Sequence, residues 1–193
     1  MRATVTTIEY DDQGAAKSTK TVTVTSVERT GDEVSAVLRS RKVEKNGTVS
    51  EDRDQHYLCS PDGVRWGLGV EDASTEQEAY LMFPNEMPQG LVLPPNLKLE
   101  YSGQDALGKK GTVAVETRDR TVNGVEKISV AAGTWNCTRL TYDFKITLKL
   151  GLLRIPFKAN VTEWYHPEVG VVRSEVRSKD KLLSYSAVTS VAK

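Results

Sequence analysis

Apolar and polar residues alternate with period two along most of this chain, the pattern of strands with one half-buried face. Val5, Ile8 and Tyr10 fall in a first strand, which ends at the turn cluster Asp11-Asp12-Gln13-Gly14. Residues 18–29 come next, with Val22 and Val24 set among Thr21, Thr23 and Thr25. Val27 breaks phase there, which predicts a bulge. After Thr30-Gly31-Asp32, the residues Val34, Ala36 and Leu38 share one face. Asn46-Gly47 reads as a two-residue hairpin turn, since both type I′ positions need φ > 0. Tyr57 and Cys59 alternate on the returning strand, and Pro61-Asp62-Gly63 turns into a short strand around Trp66.

The rhythm breaks between residues 71 and 96. An acidic stretch (Glu71, Asp72, Glu76, Glu78) precedes Ala79–Phe83, which fits a helical turn, and Pro84, Pro88, Pro94 and Pro95 crowd the remainder of the segment. Proline fixes φ and donates no N–H, so the segment cannot be a central strand. It reads as a crossover loop laid across the open end of the sheet.

Alternation returns at Leu97–Tyr101 and at Val113, Val115 and Thr117. Asn123-Gly124 predicts another hairpin, and Gly133 a bend. Leu140, Tyr142, Phe144, Ile146 and Leu148 then form an unbroken row, opposed by Thr141, Asp143, Lys145, Thr147 and Lys149. Ile155, Phe157, Ala159 and Val161 repeat it after Gly151. The Leu140–Leu148 row is expected to be buried, and Phe144→Ala to cost ~3–5 kcal/mol. Two closing strands flank Ser178-Lys179-Asp180.

The predicted fold is all-β: a single curled antiparallel meander of about 10–12 strands, as a barrel, half-barrel or two-layer sandwich, with one Pro-rich crossover loop. One domain spans residues 1–193, with an N-terminal half (1–70), the crossover (71–96) and a C-terminal half (97–193). Composition agrees: the chain has 23 Val and 19 Thr against 13 Ala and 4 Ile, a balance that suits pleated sheet over a helical bundle.

Lys+Arg and Asp+Glu both total 26. Zero net charge argues against general nucleic-acid affinity, which needs clustered cations. The first hundred residues are net −6 and the remainder net +6, which interleaving of the halves in one sheet would neutralise. No uncharged apolar run reaches the ~18–20 residues of a membrane-crossing helix.

Ile128-Ser129-Val130-Ala131-Ala132-Gly133-Thr134-Trp135-Asn136-Cys137, with Thr162-Glu163-Trp164-Tyr165-His166-Pro167-Glu168-Val169-Gly170-Val171-Val172-Arg173-Ser174, resembles the motif of the TapB-like exported bacterial envelope proteins. The resemblance is clearest over residues 128–176. It implies a curled antiparallel β fold, an exported location in periplasm or cell envelope with any export signal removed, and no established chemistry. The motif residues read as structural: Gly133 for a bend, Trp164 as an apolar plug, Pro167 and Gly170 for the turn.

Candidate chemistry is sparse. Ser174 and His166 have no third member to complete a triad. Glu163 beside Trp164 invites a glycosidase reading, but a solvated strand-face carboxylate is commoner. Gly108-Lys109-Lys110-Gly111 leads into a strand and not a phosphate-binding helix. Three N-x-T sequons begin at Asn46, Asn136 and Asn160, two of them in strands. Cys59 and Cys137 sit in strand-like contexts, as buried free thiols or, in an exported chain, a disulfide. His56 and Cys59 are three apart and point to opposite faces of a strand, so they cannot chelate together.

No catalytic, cofactor-binding or metal residue is therefore nominated, and no cofactor. The expected function is a non-catalytic exported envelope protein that binds a lipid or other apolar ligand, or a partner segment, on a concave β face. The alternative is an assembly module docking other envelope proteins through a sheet edge or the 71–96 loop; a hydrolase ranks third. An apolar void of ~300 Å³ or more marks a ligand binder, whereas a core filled by its own aromatics marks a module.

Overall fold

The period-two stretches form strands in the computed structural model, which describes residues 3–71, 78–94, 96–104, 110–150 and 153–192. Thirteen strands follow in chain order: β1 (Thr4–Asp11), β2 (Ala16–Thr30), β3 (Glu33–Glu44), β4 (Val49–Ser60), β5 (Gly63–Glu71), β6 (Glu78–Pro84), β7 (Val92–Leu93), β8 (Leu97–Gln104), β9 (Lys110–Val130), β10 (Gly133–Leu150), β11 (Leu153–His166), β12 (Gly170–Ser178) and β13 (Lys181–Ala192). All belong to one sheet, in the order β6-β5-β4-β3-β2-β1-β13-β12-β11-β10-β9-β7, with β8 also paired to β9. The pairings are antiparallel throughout, as in β1 with β13 and β10 with β11. The fold is thus the all-β meander expected from alternation.

The ends of the chain meet in mid-sheet, Thr4 opposite Ala192. The two sheet edges are sequence neighbours instead: β6 on one side, β7 and β8 on the other. They face each other across a seam of side chains. Ala79 of β6 packs with Leu97 and Leu99 of β8. Phe83 of β6 packs with Leu93, Val122, Leu140 and Tyr165. A sheet this long must curl, and bringing its edges together into a nearly closed barrel shields both of them.

This topology corrects the reading of residues 71–96. Ala79–Phe83 is not a helical turn but part of β6, with Ala79 and Phe83 buried. The strand lies at an edge, where Pro84 is tolerated opposite Gly63. In a nearly closed barrel the crossing from one edge to the other is a short step, so residues 85–91 suffice. Residues 72–77, with much of the acidic stretch, lie outside the described residues.

Two turn assignments also change. Asn123-Gly124 makes no hairpin: β9 runs straight through it, and the register against β10 slips between Arg139/Gly124 and Leu140/Val122, leaving Asn123 as the bulge. Asn46-Gly47 sits in a longer loop in which Gly47 alone has φ > 0, while Asn46 Oδ1 accepts the Thr48 N–H at 3.0 Å. The type I′ geometry falls instead on Lys179-Asp180, with φ of 48° and 66°. The irregularity predicted at Val27 lies slightly earlier, between Val24 and Ser26.

The motif residues of 128–176 gather into one small core. Cys137, Trp164 and Val172 are buried against Ile128, Val130, Trp135 and Val169. Trp164 Nε1 donates to Glu126 Oε2 at 2.8 Å, and the Glu126 carboxylate also takes Arg139 at 3.0 Å.

Candidate functional site

Three barrel positions decide what the molecule can bind: the seam, the polar side of the interior, and an open arm. The seam is full. Phe83 stacks on Tyr165 with ring centroids 4.2 Å apart, and Tyr57 on Trp66 at 5.7 Å. This part has the self-filled core expected of a module.

Away from the seam the interior turns polar. One row runs across the strands through Val122, Leu140, Glu163, Ser174, Ser186, Glu9 and Ser18. Only the first two of these side chains are apolar. Glu9 takes Lys42 at 2.8 Å and the Ser18 hydroxyl at 3.1 Å. Glu51 takes the Ser40 hydroxyl at 2.6 Å and Lys20 at 3.2 Å. Partial burial works to raise both carboxyls, but their hydrogen bonds and cations outweigh it and hold each below its usual value. Glu9, Ser18, Lys20, Lys42 and Glu51 line a half-open pocket of about 240 Å³ together with Ser174, Ser184 and Ser186.

Arg120, Tyr142 and Glu163 form a second inward-facing cluster. Arg120 is 1% exposed, and its Nη1 donates to the Met82 carbonyl at 3.3 Å. Its guanidinium sits 4.8 Å above the Phe83 ring. The Tyr142 hydroxyl donates to Glu163 Oε1 at 2.9 Å. Glu163 as a residue is half-buried, but its Oε2 is enclosed and without a partner. Burial raises the Glu163 carboxyl, and Arg120 and Tyr142 only partly offset this. Burial likewise lowers the Arg120 guanidinium against the opposing pull of Glu163.

The arm is the far end of the β10–β11 hairpin. β12 begins to pair with β11 only from Asn160, opposite Arg177. Leu153–Ala159 therefore pairs with β10 on one side and stands at an open edge on the other. Here the expectation that the whole Leu140–Leu148 row is buried needs correcting. Leu140 is fully buried, Tyr142 to Leu148 are half-buried, and Ile155 and Phe157 are 48% and 41% exposed. Leu150 and Leu153 are exposed as well. The rows outrun the partner strands and the core, so nothing among the described residues covers them. A groove of about 790 Å³ lies here, with Phe144, Phe157 and Ala159 beside Lys145, Lys158 and Lys179 and the carboxylates of Glu116 and Asp143.

The other residues weighed from sequence are dispersed. Ser174 pairs with Glu163, and His166 with Gly170, so Ser174 and His166 sit three positions apart along β11, roughly 10 Å. His166 Nδ1 accepts the Glu168 N–H. Cys59 and Cys137 are free thiols, and Cys59 is exposed, not buried as expected. Among the described residues no three His, Cys, Asp or Glu side chains gather as metal ligands. Glu163, expected on a solvated face, turns inward instead. The sequence pattern does not single out Arg120 or Gln55, because each sits in a run of polar residues, Thr117–Thr121 and Glu51–His56, that carries no inward signal.

Comparison with known proteins places this geometry. The model of the family described as DUF3108-like matches residues 3–188. A candidate exported protein with a YmcC-like fold from Bacteroides fragilis is similar in structure, with a TM-score of 0.80, 19% identity, and coverage of 99% of this chain and 95% of that one. A candidate lipoprotein from Parabacteroides distasonis has a TM-score of 0.77 at 20% identity, covering 98% and 94%. At these identities the likeness establishes a shared fold. No curated protein matches the chain.

Proposed function

The chain belongs to the DUF3108-like family, and on that premise we propose that it is a non-catalytic exported envelope protein that binds an anionic lipid on its open arm. The observation that carries this reading is the arm itself: Leu150, Leu153, Ile155 and Phe157 exposed together, next to a groove that carries three lysines and an arginine against two carboxylates. Contiguous exposed apolar surface of this kind marks an interaction site. Lys145 is neutralised by Glu116 at 3.1 Å, while among the described residues no carboxylate pairs with Lys158 or Lys179, which are left for a headgroup. The description of two structural relatives as a candidate exported protein and a candidate lipoprotein supports the location.

The open edge of β11 favours a second reading, in which an envelope protein adds a strand there. Pro156 stands in the middle of that edge and pairs with Thr147. It has no N–H to offer an incoming strand and blunts the edge, so the lipid reading is preferred.

The test is calorimetric titration with monomeric palmitoyl-lysophosphatidylglycerol. Saturable binding is expected, weakened at least tenfold by Phe157→Asp and weaker for the zwitterionic lysophosphatidylcholine. Absence of binding, or equal binding by the variant, overturns the proposal.

A further inference from the structure

β9 is longer than the strands that cover its outer side. β8 pairs with it over Lys110–Thr117, and β7 at Arg120 and Thr121. The Val122 C=O accepts the Gly90 N–H and its N–H donates to the Leu91 carbonyl, both at 2.8 Å. There the cover stops. From Gly124 to Val130 the strand keeps its ladder with β10, and among the described residues no backbone takes its other side. At ~3.4 Å per residue this open edge runs for roughly 20 Å. An unpaired edge presents alternate N–H and C=O groups to any extended chain, and folded proteins blunt such edges with proline, bulges or charge. The β11 edge has Pro156. The β9 edge has no proline, and its bulge falls at its start, at Asn123. Its two faces differ. Ile128 and Val130 pack inward on Cys137, Trp164 and Val172, and Glu126 on that face is held by Trp164 and Arg139. Val125, Lys127 and Ser129 alternate with them and are exposed, Val125 at 68%. Among the described residues no carboxylate pairs with Lys127. Two copies docked antiparallel over the whole edge would set Lys127 opposite Lys127, and like charges directly opposite are destabilising. Lys127 thus guards the edge against self-pairing and leaves it open to a strand that carries an acid.

We infer that the β9 edge from Gly124 to Val130 is a strand-addition site for an extended segment of another protein, with an acidic residue opposite Lys127 and apolar residues beside Ile128 and Val130. In such pairing the main-chain hydrogen bonds supply affinity and the alternate side chains supply selectivity. Apolar residues on the inward face extend the small core around Trp164, and the acid on the outward face meets a cation directly across the strands. The site lies at the opposite end of β9 from the arm, whose strands pair with β9 through Thr112–Arg118, so it is independent of the lipid reading.

Fluorescence anisotropy with the labelled, end-blocked peptide TVTVEVTVT, whose valines fall on one face and whose acid falls on the other, tests the inference. Saturable binding is expected, at least tenfold weaker for TVTVKVTVT. The variant Lys127→Glu, a change at an exposed side chain, should reverse that order. The peptide TVTPEPTVT keeps the acid but loses ladder donors, and should not bind. Lys158→Glu, which alters charge on the arm alone, should bind TVTVEVTVT as the natural chain does. No binding of TVTVEVTVT, equal binding of the lysine peptide, an unchanged order in Lys127→Glu, full binding of the proline peptide, or loss in Lys158→Glu overturns the assignment. So does sedimentation of the protein alone as a dimer that the peptide cannot enter, which would give the edge to a second copy.

Discussion

Truncating Leu140 to alanine tests where the core lies. Leu140 is 0% exposed and packs with Phe83, Leu93, Val122 and Tyr165. Leucine-to-alanine changes at such sites cost about 2–5 kcal/mol, rising with the volume that stays empty. Collapse is limited here because Phe83 and Tyr165 brace each other as a ring stack at 4.2 Å, so the cost belongs near the upper end, about 4 kcal/mol. For a chain of this size that is a drop in Tm of roughly 8–16 °C. Phe144, four residues along the same row, is half-buried. Its truncation should cost about 1–2 kcal/mol, below the ~3–5 of a fully buried ring. Urea titration of both variants, read by tryptophan fluorescence and far-UV dichroism, gives the two numbers. If Phe144→Ala proves as costly as Leu140→Ala, the interior is closed at the arm and the exposed groove does not exist. A Leu140→Ala cost under about 1 kcal/mol would displace the core itself.

Two further expectations rest on local geometry. Cys59 is exposed and Cys137 buried, its thiol pushed up to about 11 by desolvation; a maleimide at neutral pH should label one site promptly and the second only on unfolding, and equal rates would refute this. Gly170 has φ +86° and open space within 4 Å of where a Cβ would stand, so Gly170→Val should cost about 1–2 kcal/mol from backbone strain alone, and an unchanged urea midpoint would contradict that origin.

The fold was legible because strand alternation is local and the barrel obeys it. The 162–174 hairpin and the long β10 strand could be read directly from Leu140 to Val172. Position in the sheet was less accessible. Whether the Leu140–Leu148 row is covered depends on how far β12 extends beside β11, a length that no residue of the row encodes. Asn123-Gly124 has the composition of a hairpin turn, yet β9 keeps its pairing with β10 on both sides of it, and tertiary pairing overrides turn preference. The interior was hidden for a different reason. At the start of β2 and β4 the inward face carries Ser18, Lys20, Arg53 and Gln55 opposite Thr19, Thr21, Asp52 and Asp54, so over these stretches both faces are polar and alternation gives no contrast. Lysine and arginine line an interior with apolar stems, and the pattern then resembles a solvated strand. Arg120 could be assigned only once β9 was placed between β7 and β10.

Glu163 offers a last test, since its behaviour with pH depends on its facing inward. Burial raises its carboxyl above the usual value, so the folded state favours the protonated form. Any stability gained this way is complete below the unfolded-state value of ~4.3 and is lost as pH rises through the higher folded-state value. Glutamine keeps the size, can accept the Tyr142 hydroxyl as Glu163 Oε1 does, and never ionises. Glu163→Gln should therefore match the natural chain at pH 4 and become progressively more stable than it toward pH 8. The solvated strand-face carboxylate inferred from sequence predicts no such divergence. Thermal melts of both proteins at half-unit pH intervals measure it. The difference in Tm must grow with pH; a constant offset would mean that the substitution acts through packing, and a difference that shrinks would mean that Arg120 stabilises the charged form more than burial disfavours it.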